Sequence, residues 1–186
     1  MFIDRKTELE LLDQRYRSNQ AELFVLYGRR RVGKTELLHA FCADKPHIFF
    51  IATLSSDSEQ LATFSQQVYG FTHADVPSGF TFPSWEAALR ALSELPGQPK
   101  PIIVLDEFTY LISGNKAIPS ILQKVWDETL KNTQIMMVLC GSYIGMMETE
   151  VLGYQAPLYG RRTASTLLRP MDLASSALFF PSYSAE

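Results

Sequence analysis

The segment Leu23-Phe-Val-Leu-Tyr-Gly-Arg-Arg-Arg-Val-Gly-Lys-Thr-Glu-Leu-Leu38 changes its hydrophobic period halfway along. Leu23 to Tyr27 is continuously apolar, as in a strand covered on both faces. Leu37, Leu38, Phe41 and Cys42 instead recur on one side of a helix that starts near Lys34 and stops before Pro46. Between the two lies Gly28-Arg-Arg-Arg-Val-Gly-Lys-Thr35, which matches the pattern G-x-x-x-x-G-K-[ST] in the strand-loop-helix setting its mechanism requires. Gly28 and Gly33 let the backbone bend so that successive N–H groups face inward, and the helix adds its positive N-terminal end, forming a cradle for phosphates. The cradle is expected to run from Gly28 through Arg29, Arg30, Arg31, Val32, Gly33, Lys34 and Thr35 to Glu36, with Lys34 reaching the β and γ phosphates and Thr35 ligating Mg²⁺. The bland alternative is a tight turn with Lys34 directed outward. Three successive arginines in an acidic chain read as a solvated loop tip, with a local nucleic-acid contact as the lesser alternative.

Working outward, Leu9, Leu12 and Tyr16 follow Asp4, a candidate N-cap, at helical spacing. His47 to Ala52 reads as a second buried strand. Leu61, Phe64 and Val68, then Trp85, Ala88, Leu89 and Leu92, mark two helices separated by a Gly/Pro-containing loop from Gly70 to Pro83. Ile102 to Leu105 is a third strand; Ile118, Ile121, Leu122, Val125 and Trp126 give a helical face; Ile135 to Cys140 is a fourth strand, and Thr163 to Leu168 a weaker fifth. Strands alternating with helices predict an α/β fold: a parallel sheet with right-handed crossovers and helices on both faces.

The third strand runs into Asp106-Glu107, so two carboxylates stand where ligands bind in open α/β sheets. Asp106 is placed to hold the Mg²⁺ shell, and Glu107 to orient or deprotonate the attacking water. An acidic pair where a strand simply meets solvent is the alternative. Ser142 ends the fourth strand, either sensing the γ phosphate or merely capping the next helix. Arg161 and Arg162 are candidate arginine fingers, in cis or toward a neighbouring subunit, or plain surface residues. His39, His47 and His73 have no partner at ligand or triad spacing. Met136, Met137, Met146 and Met147 read as core filling.

The chain's 186 residues, 46% hydrophobic, suffice for one domain with a substantial core. A formal charge of -3 offers no global field for nucleic acid or an anionic membrane. Cys42 and Cys140 belong to no ligand pattern and read as reduced core residues. No run long enough to span a bilayer is present, and a cytoplasmic location is expected. The guanine-reading pattern N-K-x-D is absent from the sequence, which leans toward ATP and leaves GTP open.

Taken together, Phe2-Ile-Asp-Arg-Lys-Thr-Glu-Leu9, Gly28 to Leu38, Ile102 to Phe108, Leu139-Cys-Gly-Ser-Tyr-Ile-Gly-Met-Met147, Leu158-Tyr-Gly-Arg-Arg-Thr163 and Leu168-Arg-Pro-Met-Asp172 resemble the archaeal-type ATPase family of P-loop proteins. That family lies near the AAA+ and STAND classes. The resemblance implies a three-layer core with a five-stranded, mainly parallel sheet in the order 5-1-4-3-2, and places Phe2 to Arg5 near the adenine. It also implies a core over residues 1–170, with 171–186 opening a C-terminal lid or linker at Ala177-Leu-Phe-Phe-Pro181. The chain then reads as a fragment of a longer protein whose lid and effector domain lie elsewhere, with weak binding and slow turnover expected without the lid. The leading expectation is an ATPase that drives a conformational cycle. A non-catalytic nucleotide switch or scaffold and a small-molecule kinase are the alternatives, and assembly into homo-oligomers is open.

Overall fold

A computed structural model describes residues 5–171. Phe2, Asp4 and the expected lid segment at Ala177 to Pro181 lie outside the described residues.

Five strands form one sheet: β1 (Glu22–Tyr27), β2 (His47–Ile51), β3 (Ile102–Asp106), β4 (Met136–Gly141) and β5 (Ala164–Leu167). Their order is β2-β3-β4-β1-β5, and every pairing is parallel. This is the expected 5-1-4-3-2 order read from the other edge. β4 therefore separates the strand that carries the phosphate loop from the one that ends in the acidic pair. In register, Tyr27 lies opposite Gly141 and Leu105 opposite Leu139, so the three strands finish together.

The pleat sends alternate side chains to two cores. On one face, Phe24, Leu26, Val104, Val138 and Cys140 pack against α1 (Lys6–Tyr16) and α2 (Lys34–Cys42). On the other, Val25, Ile103, Leu105 and Leu139 meet α3 (Asp57–Thr72), α4 (Trp85–Ala91), α5 (Phe108–Gly114) and α6 (Ile118–Glu128). Phe50, Phe64 and Trp85 form an aromatic wedge there, with Phe64 5.4 Å from Phe50 and 5.5 Å from Trp85. A short helix, α7 (Ile144–Met147), follows β4 and runs into a wider turn over Glu148–Leu152.

Three expectations need correction, and one element is additional. β2 is an edge strand with His47 and Ile51 exposed; Ile48 and Phe50 are buried on one face, while Phe49 on the other is only partly covered, so the strand is not buried on both faces. The N-cap position of α1 is Arg5, in the left-handed region with no side-chain cap, in place of Asp4. α3 continues through Gly70 to Thr72, shortening the following loop. α5, which starts directly after the acidic pair, was not anticipated.

Candidate functional site

The loop between β1 and α2 is held from both sides. The Gly28 N–H donates to the Gly141 carbonyl at 3.3 Å, and the Leu168 N–H donates to the Tyr27 carbonyl at 2.7 Å. A Cβ on Gly28 would lie 2.3 Å from the Leu168 carbonyl oxygen, so only glycine lets the end of β5 approach this closely. Gly33 begins α2 with φ 89°, in the left-handed region open to glycine. Lys34 is not directed outward. It is 5% exposed and its ammonium donates to the carbonyls of Gly28, at 3.0 Å, and Arg29, at 2.9 Å, across the mouth of its own loop.

Across the end of β4, the Thr35 hydroxyl donates to Asp106 Oδ2 at 2.7 Å. The other oxygen of Asp106 accepts the Glu107 N–H at 2.8 Å. Both oxygens of this nearly buried carboxylate are thus engaged, which fixes its plane. Cys140 lies behind it, and burial together with the Asp106 charge pushes that thiol well above its ordinary value, so it is inert packing. Glu107 occupies the N-cap position of α5 with φ 51° and ψ 41°. Its Oε2 accepts the Ser142 hydroxyl at 2.7 Å. Ser142 gives α7 no side-chain cap, since the cap position is Tyr143.

These groups border a cleft of about 540 Å³. Gly33, Lys34, Thr35 and Glu36 form one wall, and Glu107 faces them. Arg30, Arg31 and Tyr110 complete the rim. Tyr110, in the first turn of α5, accepts a hydrogen bond from the Arg30 guanidinium. Sequence reasoning missed Tyr110; its spacing of three from Glu107 was the available signal.

Several candidates lie elsewhere. Arg161 is fastened to Asp127 of α6 through Nε, at 3.0 Å to both carboxylate oxygens, and Nη2 at 2.6 Å. Arg162 donates to the Leu152 carbonyl. Neither reaches the cleft within the chain. Arg5 is buried and ties three segments together: Nη2 donates to the carbonyls of Val32, at 3.0 Å, and Arg169, at 2.8 Å, while Nη1 pairs with Glu8. Arg29 is exposed at the loop tip, and Val32 packs partly into the core beside α1 and α2.

A phosphate loop after the first strand of a parallel sheet, with an acidic pair one strand removed, defines a P-loop NTPase domain. More narrowly, the chain belongs to the family of ATPase domains found predominantly in Archaea, matched over residues 2–186. It is 34% identical over 181 residues to the uncharacterized protein MJECL04 of Methanocaldococcus jannaschii, covering 97% of this chain and 38% of that one. It is 53% identical over 45 residues to the uncharacterized ATP-binding protein MJ0423 of the same organism, covering 24% of this chain and 76% of that one. Among solved structures, a Walker-type ATPase of Pyrococcus abyssi superposes with TM-score 0.66 at 24% identity, over 96% of this chain and 57% of that one. Orc1 of Aeropyrum pernix, solved in complex with DNA, gives TM-score 0.66 at 19% identity, over 94% of this chain and 47% of that one. At those identities the likeness is one of fold. The chain spans 38% of the first relative's length.

Proposed function

We propose that this domain binds ATP with Mg²⁺ and hydrolyses it to ADP and phosphate. The observation that supports this best is the coupled pair of contacts Thr35 to Asp106 and Ser142 to Glu107, both 2.7 Å, set beside the phosphate loop. The loop amides and Lys34 take the triphosphate, with Lys34 exchanging two carbonyl partners for phosphate oxygens. Glu107 accepts the proton of the attacking water as its oxygen bonds to the γ phosphorus. The bond to the β–γ bridging oxygen breaks, and its electron pair leaves with ADP. Ser142 holds Glu107 in the rotamer that faces the cleft.

Mg²⁺ fits the donors present. One hydroxyl and one carboxylate, both hard oxygen donors, sit at the edge of the cradle, which suits a cation that takes its other ligands from phosphate and water. Thr35 donates its proton to Asp106 and so keeps its lone pairs for the ion, and Asp106 is placed to hold the surrounding shell. When bound, the ion supplies charge neutralisation for the β and γ oxygens.

Glu107→Gln should lower turnover by roughly a thousandfold while ATP affinity stays within about threefold, measured by phosphate release and calorimetry. Turnover equal to the parent's rejects Glu107 as the base. ATP binding with no phosphate release even in the parent favours the nucleotide-switch reading.

A further inference from the structure

The loop's three arginines are more than a solvated tip, because one of them is held against the catalytic side of the cleft. Arg30 is the second residue after Gly28, and its Nη2 donates to the Tyr110 hydroxyl, with its guanidinium carbon 6.0 Å from the ring centre. Tyr110 belongs to the first turn of α5, and its N–H donates to the Glu107 carbonyl at 2.7 Å. Arg30, Tyr110 and Glu107 line the same cleft as Lys34 and Thr35. The rim therefore carries a cation on the side where the base stands.

Arg161 is neutralised by Asp127, Arg90 by Glu86 and Glu128, Arg5 by Glu8 and Arg17 by Asp13, whereas the loop arginines Arg29, Arg30 and Arg31 form no ion pair among the described residues. What distinguishes Arg30 among these three is the side chain that holds it at the cleft. Among the described residues, the side-chain partner of Arg30 is a neutral phenol, which orients the guanidinium and leaves its full charge for an incoming anion. A planar guanidinium suits the oxygens of a phosphoryl group.

We propose that Arg30, steered by Tyr110, binds the γ-phosphoryl group of the triphosphate and offsets in cis the charge on its oxygens as the β–γ bond breaks. This rests on the hydrolytic reading above for its kinetic part, and only on triphosphate binding for its affinity part. The reaction's balance is unchanged: water supplies the new bond to phosphorus, ADP leaves with the bridging oxygen's electron pair, and Glu107 receives the proton. Arg30 touches the transferred group; Tyr110 is a positioning residue.

The test compares Arg30→Ala, Arg30→Lys and Tyr110→Phe in the full chain, with Glu107→Gln alongside. Binding of ADP and of the non-hydrolysable analogue AMPPNP is measured by calorimetry, and turnover by phosphate release. Arg30→Ala should weaken AMPPNP about tenfold, leave ADP within about twofold, and lower kcat at least about a hundredfold. Arg30→Lys should recover most AMPPNP affinity but leave kcat about tenfold or more below the parent, because a point charge lacks the planar fork. Tyr110→Phe should lower kcat by about tenfold with AMPPNP affinity within about threefold. Equal losses of AMPPNP and ADP affinity in Arg30→Ala would show a residue that only shapes the loop, and overturn the proposal. An unchanged preference for AMPPNP over ADP overturns it too. If Glu107→Gln turns over like the parent, the hydrolytic assignment falls separately, and the AMPPNP-to-ADP contrast still decides the Arg30 contact.

Discussion

At the C-terminal ends of the strands, Lys34, Asp106 and Ser142 are nearly buried, yet each bonds to a group at or beside an open cleft. At the N-terminal ends, Glu22 and Lys100 are just as buried, and their partners close on one another. Lys100 donates to the Ser18 and Gln20 carbonyls, both at 2.8 Å, and to the Ser18 hydroxyl at 3.2 Å. Ser18 and Thr163 in turn donate to Glu22. Burial holds the Lys100 ammonium below the usual lysine range, against the pull of the Glu22 charge. Buried charge is thus a poor marker of function by itself. Lys34 and Lys100 both rest on backbone carbonyls, so the partners do not separate them; what does is that Lys34 lines a space large enough for a ligand.

Substitutions at the two ends should therefore separate binding from stability. Lys34→Ala should weaken ATP by on the order of a hundredfold or more, because a charge-assisted contact to phosphate is lost, with little change in thermal midpoint; calorimetry beside a melting curve reads both. Lys100→Met should do the reverse. It strands the Ser18 and Gln20 carbonyls and the Glu22 charge, lowering unfolding free energy by about 2 to 4 kcal/mol in urea titration, with ATP affinity within about twofold of the parent. If Lys100→Met abolished binding in a folded protein, the division between the ends would fail.

Ser142→Ala should lower kcat by about tenfold with ATP affinity nearly unchanged, because Glu107 loses its rotamer restraint. A smaller effect concerns a group at neither end. Burial pushes the Cys42 thiol up to about 12 from an ordinary value near 9. The unfolded chain releases that proton first, so this contribution to stability is complete below about pH 9 and disappears as pH rises toward 12. Cys42→Ala should therefore flatten the alkaline limb of the stability curve measured by urea titration from pH 8 to 11. An unchanged slope would show that other groups dominate it.

The readable parts of the sequence were those where local chemistry and local geometry coincide. Gly28 to Thr35 carries its own turn residues, cation and hydroxyl in one short loop, and the two neighbouring periods identify strand and helix. Asp106 and Glu107 stood out because a continuous apolar run ends in two charges. Arg30 entered only as one of three like loop arginines, and its pairing with Tyr110 did not stand out, because that contact joins residues eighty positions apart. The same holds for Arg161, in the turn before β5, whose partner Asp127 lies on α6. Two arginines in succession look alike in a sequence; only the fold shows which one a carboxylate has already neutralised. α5 escaped notice because it begins at a left-handed Glu107, with no capping side chain to announce it.

The strand that bears the phosphate loop is made early and completed late. Glu22 has its neighbour only when Met136 is in place, and Phe24 has its other neighbour only when Ala164 is. On the ribosome, β1 therefore emerges with neither edge covered and stays so while β2 and β3 are being synthesised. A nascent chain interrupted before β4 would expose an apolar strand with both edges unpaired next to a cluster of arginines, the kind of surface on which chains aggregate. Pausing within that interval should cost yield far more than pausing after β5.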